Sequence, residues 1–150
     1  MPKFVEGLQD LEKALFELKT TTAKSQVRRN LKVAAQPVAD AMNRAAPVDP
    51  EGDGDPLSES YEVSTRLNRT QRRERGRPDP AEVTMYVGST TPQKAIQQEF
   101  GNAQHGAQPH ARPAWARGGP AVLERFTESA TASVDKAVAR ARRKQARAGK

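Results

Sequence analysis

Of the residue types that do chemistry, this 150-residue chain has many acids, bases, serines and threonines but only two histidines and no cysteine. The histidines are His105 and His110, both in a stretch rich in Gly, Pro and Ala. There is no cysteine, hence no thiol nucleophile, no disulfide and no Cys-ligated zinc. His-Glu-x-x-His, Gly-x-Ser-x-Gly and Walker-type phosphate loops are absent, and no Ser or Thr stands beside a plausible base. Asp49, Glu51, Asp53, Gly54 and Asp55 fall at the spacing of a calcium loop, but Ser60 stands where a bidentate Glu is expected. A solvated acidic turn is the simpler reading. The expectation is a protein that is not an enzyme, with no catalytic residue, no metal and no cofactor.

Two other kinds of residue stand out. The first is a pair of large aromatics, Phe100 and Trp115, flanking a loop with Gly101, Arg112 and Pro113. Gly101 is free to take positive φ and turn the chain, while Arg112-Pro113 reads as an extended approach. Trp and Arg are typical interface anchors. The competing reading packs both aromatics between a sheet and the last helix. The second kind is charge. The net charge of +7 is unevenly spread. Residues 49–62 hold six acids and no Lys or Arg. Residues 66–77 hold six arginines and one Glu, and residues 136–150 hold seven basic residues and no acid. The arginine segment (Arg69, Arg72, Arg73, Arg75, Arg77) and the tail (Arg142, Arg143, Lys144) are candidates for contact with DNA phosphates, or for meeting a neighbour's acidic loop. For the tail, a solvated, frayed end is an equal reading.

The elements that would position these residues follow from periodicity. Phe4, Leu8, Leu11, Leu15 and Leu18 predict an amphipathic helix over 3–19. Val27, Leu31, Ala34, Val38, Ala41 and Ala45 predict a second over 23–46, kinked or split at Pro37 and ended at Ala46-Pro47. Alternation predicts strands over 61–68 and 82–87, joined as a hairpin by a long Arg-rich loop. Thr91-Pro92 reads as a cap and first turn of a short helix to Glu99 or Phe100, stopped by Gly101. Residues 102–120 read as loop. A last helix begins near Pro120, with a stripe of Leu123, Phe126, Ala130, Val134, Ala137 and Ala141, then a basic tail over 141–150. The fold class is α+β: two N-terminal helices, a small antiparallel β-sheet, and a long C-terminal helix across it, as a single domain over 1–150. The core is thin: eight Leu, one Ile, 11 Val and four Phe against 23 Ala. Alanine favours helix but buries little apolar surface, which hints at oligomerisation. No stretch has signal-peptide or membrane-span character.

The segment Ala95-Ile96-Gln97-Gln98-Glu99-Phe100-Gly101, then Pro109-His110-Ala111-Arg112-Pro113-Ala114-Trp115, resembles the Glu-Phe-Gly then Ala-Arg-Pro pattern of the phage tail-completion (head–tail joining, minor tail) family of siphophages. Gly7-Leu8-Gln9-Asp10-Leu11, Ala46-Pro47 and Leu57-Ser58 are similar to its other landmarks, in order. Ala114 stands where the family usually has an aromatic, with Trp115 one place later. The resemblance implies a structural virion protein at the neck, forming an oligomeric ring around the DNA path. It implies other neck and tail proteins as partners, no membrane, and location in the virion after assembly in the host cytoplasm. Glu99, Phe100, Gly101, Arg112, Pro113 and Trp115 become the candidate subunit or partner interface. The alternatives are a non-specific nucleic-acid-binding protein using Arg66–Arg77 and the basic tail, and a small hydrolase or toxin.

Overall fold

The structure is a computed structural model that describes residues 20–48, 52, 56–77, 79 and 82–148. The helix expected over 3–19, and all of the acidic loop 49–55 except Gly52, lie outside the described residues. Within them the fold is α+β, with five α-helices, one short 3-10 turn and a two-stranded antiparallel sheet.

Helix α1 spans Thr20–Ala45. Its buried face is Asn30, Ala34, Ala35, Val38, Ala39, Met42 and, just beyond its end, Ala46. The expected stripe is thus rotated: Ala34 and Val38 are buried, Leu31 is half-buried and Ala45 is exposed. Small alanines let neighbouring elements approach the helix closely. Pro37 does not split α1, which runs unbroken through it. Proline removes the bond to the carbonyl four residues back, here Val33, which is 60% exposed. Pro37 is itself exposed, so the loss falls on the solvent side of the helix.

After a 3-10 turn at Leu57–Glu59, strand β1 (Tyr61–Ser64) pairs with β2 (Tyr86–Ser89) in the register Tyr61↔Ser89 and Val63↔Val87. Tyr61 and Val63 are buried on the side facing α1, and Glu62 is exposed. The Asn43 side chain binds the free edge of β1 as a strand would. Its Oδ1 accepts from the Tyr61 amide (2.8 Å) and its Nδ2 donates to the Tyr61 carbonyl (3.0 Å). Ser60, where a calcium loop would need Glu, bonds the Leu57 carbonyl (2.9 Å) and the Ser89 hydroxyl (2.7 Å).

The connection between the strands is not simply loop. Helix α2 (Arg69–Arg75) occupies it, opened by a capping box between Asn68 and Gln71 and closed at Gly76 with φ +71°. Strand pairing also begins later than the alternation suggested, at Tyr86 rather than Glu82, because its partner β1 ends at Ser64.

Helix α3 (Pro92–Phe100) has the expected bounds, with Pro92 in its first turn and Gly101 after its end. Thr91 gives no side-chain cap; its hydroxyl instead lies 3.1 Å from that of Ser89. A helix, α4 (Ala111–Gly118), stands in the stretch 102–120 read as loop. Helix α5 (Pro120–Ala148) continues seven residues past Ala141. The residues there are mostly Arg, Lys, Gln and Ala, all good helix formers. Periodicity ends there because packing ends, not because the helix does.

Helix α5 lies along α1 rather than across the sheet. Its inward positions are half-buried: Val122, Phe126, Ser129, Ala130, Ser133, Val138 and Ala141. Leu123 is 73% exposed and Val134 43%, so the apolar stripe expected there is displaced. The contact is partly polar. Buried Asn30 accepts through Oδ1 from Gln26 (3.1 Å), Ser129 (3.2 Å) and Ser133 (3.1 Å), and Gln26 also donates to Ser133 (3.1 Å). Helix α4 packs closely on α1: a Cβ at Gly118 would sit 3.1 Å from a Val38 methyl.

Candidate functional site

The stretch from Glu99 to Trp115 folds back on itself around one buried carboxylate. Helix α3 places Glu99 at its last turn with the side chain 7% exposed. Gly101 then turns the chain with φ +78°, and a Cβ there would lie 2.8 Å from the Ala107 nitrogen, so the position needs glycine. The return segment is tied down by the Gln108 amide donating to the Gln98 carbonyl (2.7 Å) and the Asn102 amide to the His105 carbonyl (3.0 Å). It delivers the start of α4 onto Glu99.

Four donors meet the carboxylate. The amides of His110 (2.9 Å) and Ala111 (3.0 Å) donate to Oε2; the amide of Arg112 (3.0 Å) and its Nε (2.8 Å) donate to Oε1. Glu99 therefore caps α4 from outside the helix, supplying the N-terminal acceptor that His110 does not. Burial pushes the Glu99 carboxyl up. The His110 amide, the Arg112 side chain and the Arg112 and Ala111 amides outweigh it, and hold the group at about 2. A carboxylate offers about four lone-pair sites, and all four are taken. These bonds tie the end of α3 to the start of α4.

Behind the carboxylate lies a buried pair. The Tyr61 hydroxyl is 2.8 Å from His110 Nε2, with the rings edge to face. His110 Nδ1 is 3.2 Å from the Gln108 carbonyl and 3.4 Å from Glu99 Oε2. The Gln108 carbonyl beside Nδ1 places the ring proton there, so Nε2 accepts from Tyr61. Burial, and then the Glu99 charge, push the Tyr61 hydroxyl up to about 12. Tyr61 and His110 thus join the sheet to the loop. Neither was a candidate from the sequence, although a lone His beside Ala-Arg-Pro was a usable signal.

Outside the clamp, the Arg112 guanidinium lies 4.6 Å from the centre of the Phe100 ring. Phe100 is 62% exposed and Trp115 50%. The reading that packs them between sheet and helix is therefore wrong. Trp115 borders a shallow groove with Met42, Met85, Tyr86, Val87, Ala111 and Arg112. Ile96, one turn before Phe100 on α3, is 58% exposed. Arg112-Pro113 does not form the expected extended approach: both lie in the first turn of α4, where Pro loses no helical bond.

The basic candidates are spread. Arg69, Arg72 and Arg73 are exposed on α2, and Arg142, Arg143 and Lys144 on the end of α5. Arg75 is held over the Tyr86 ring (5.7 Å), with Thr84 at 3.2 Å and Glu82 at 3.9 Å. Arg75 and Arg77 share a groove with Lys24 and Arg28 of α1, residues that the sequence did not single out. Among the described residues no cluster of His, Asp or Glu could hold a metal ion, and no helix is long and apolar enough to cross a membrane.

No curated protein and no solved structure matches the chain. One family model does, over residues 9–101, described as "Bacteriophage HK97-gp10, putative tail-component". The match takes in the Glu-Phe-Gly half of the clamp and ends before the Ala-Arg-Pro half. It spans more than half of the sequence, and the chain belongs to the HK97-gp10-like family of bacteriophage tail components.

Proposed function

We propose that the chain is a structural component, not an enzyme, that completes or joins the tail at the neck as a ring of identical subunits around the DNA path. The observation that carries this reading is the surface made by Ile96, Phe100, Arg112 and Trp115. Its large apolar groups are exposed, yet the residues beneath them are fixed by a saturated buried carboxylate. Large aromatics held rigidly at the surface lose little entropy on docking and suit a repeated protein contact. The saturated state of Glu99 supports a mechanical role for this segment. The thin, alanine-rich core supports a protein that gains stability from neighbours.

Native mass spectrometry of the purified chain, alone and with the adjoining tail proteins, tests the ring. The expected species is a closed multiple of the 16.4 kDa subunit. Trp115 is the sole tryptophan, so its emission should move to shorter wavelength on assembly in a ring of this chain alone. A monomer under every condition, with unchanged emission, contradicts the reading.

A further inference from the structure

Basic residues from two distant parts of the sequence converge on one face. Lys24, Arg28 and Lys32 lie at four-residue intervals along α1, about 6 Å apart in rise. Beside them stand Arg66, just after β1, and Arg75 and Arg77 at the end of α2. They line two shallow grooves that share Arg28 and Thr65, so the surface is continuous. Arg28, Lys32, Arg66 and Arg77 have no ion-pair partner among the described residues. Glu62, Asp79 and Glu82 also border the grooves, and leave the surface net positive. Arg75 is held in place by Tyr86, Thr84 and Glu82.

We propose that this face, α1 with Arg66, Arg75 and Arg77, is a binding surface for the phosphate backbone of duplex DNA. A charge run within one segment is often just a solvated face. Here two runs, more than 30 residues apart, are brought together by the fold, and the unpaired cations stay concentrated where they meet. The surface is open and shallow, which suits a rod-like polyanion rather than a small molecule. Among the described residues no aromatic ring lines the grooves, and the nearby Tyr86 ring is covered by Arg75, so an unpaired base finds little to stack on and duplex is favoured over single strand. Contact with phosphates alone positions DNA without reading its sequence. The exposed cations at the end of α5 do not line these grooves. The proposal rests on the neck reading only in that the duplex would be the packaged genome; its test does not require a ring.

The test is fluorescence anisotropy of the full chain with a labelled duplex of arbitrary sequence, about 30 base pairs long, over a range of salt concentrations. With about five phosphate contacts, log affinity should fall with log salt at a slope of roughly −4 to −5. The variant Arg28→Gln/Lys32→Gln/Arg66→Gln should flatten that slope by nearly 3 and weaken binding at least tenfold at low salt. Arg28→Lys/Arg66→Lys should keep the slope, which separates charge from folding. Arg142→Gln/Arg143→Gln/Lys144→Gln should bind within about twofold of the parent chain. The proposal is overturned if the first variant binds like the parent, or if the loss follows the α5 variant instead. Retention of an acidic peptide with no retention of duplex would assign the face to a protein partner and overturn it equally. None of these substitutions touches Phe100 or Trp115, so loss of duplex binding with a normal ring leaves the assembly reading intact.

Discussion

Glu99 is a carboxylate that burial opposes and four hydrogen bonds retain. Its folded pKa of about 2, against 4.5 for the free group, makes it a source of stability with a defined window. A depressed carboxyl contributes fully above about pH 4.5, and the contribution disappears as the pH falls towards 2. The shift corresponds to a loss on the order of 3 kcal/mol across that interval. Tyr61 bounds the other side: its raised pKa favours the neutral hydroxyl in the fold, a contribution present below about pH 10 and lost as the pH rises towards 12. Glu99→Gln should cost about 2–4 kcal/mol in urea unfolding, because the amide nitrogen turns a donor towards donors. It should also flatten the acid limb of the stability curve between pH 4.5 and 2. An unchanged midpoint and an unchanged acid limb would show that the carboxylate is not what holds α4.

At the scale of elements, the contact between α1 and α5 depends on polar groups set among small ones. Asn30 is buried and receives three donors from Gln26, Ser129 and Ser133. Asn30→Ala removes that acceptor and leaves the two serines facing an apolar gap, at a cost of about 1–3 kcal/mol. Hydrogen exchange should speed up in α5 before it does in the sheet; equal acceleration throughout would mean that α5 is not held separately by this cluster. The same contact explains why the C-terminal helix was placed wrongly from sequence. Its apolar stripe was read through Leu123 and Val134, which are exposed, because Ser129 and Ser133 did not count as inward residues. Helix α3 was legible because Pro92 and Gly101 bracket it. Helix α2 was missed although its capping box, Asn68 with Gln71, stood in the sequence. Helix α4 was missed because Arg112-Pro113 was read as extended, when a carboxylate 13 residues back caps the first turn. A cap supplied from so far away leaves no local signal. Glu99 and Arg112 stand out in the sequence as interface candidates, but that Glu99 caps α4 together with His110 and Ala111 needed the fold.

At the largest scale, the described residues form a small helical framework around a two-stranded sheet that would be marginal alone. The framework leaves two different surfaces open. One is apolar and aromatic, on α3 and α4; the other is basic, on α1 and α2 with the residues just after β1. A subunit that meets its neighbours through the first and a DNA path through the second would suit a neck component. Complementation tests whether the first surface is the assembly contact. A phage lacking its own copy of this chain would be supplied with Phe100→Ala/Trp115→Ala, and the particles counted by electron microscopy. The variant chain should keep its helical circular dichroism, while heads and tails accumulate unjoined and the titre falls by at least a hundredfold. Joined particles at the parental titre would contradict that role.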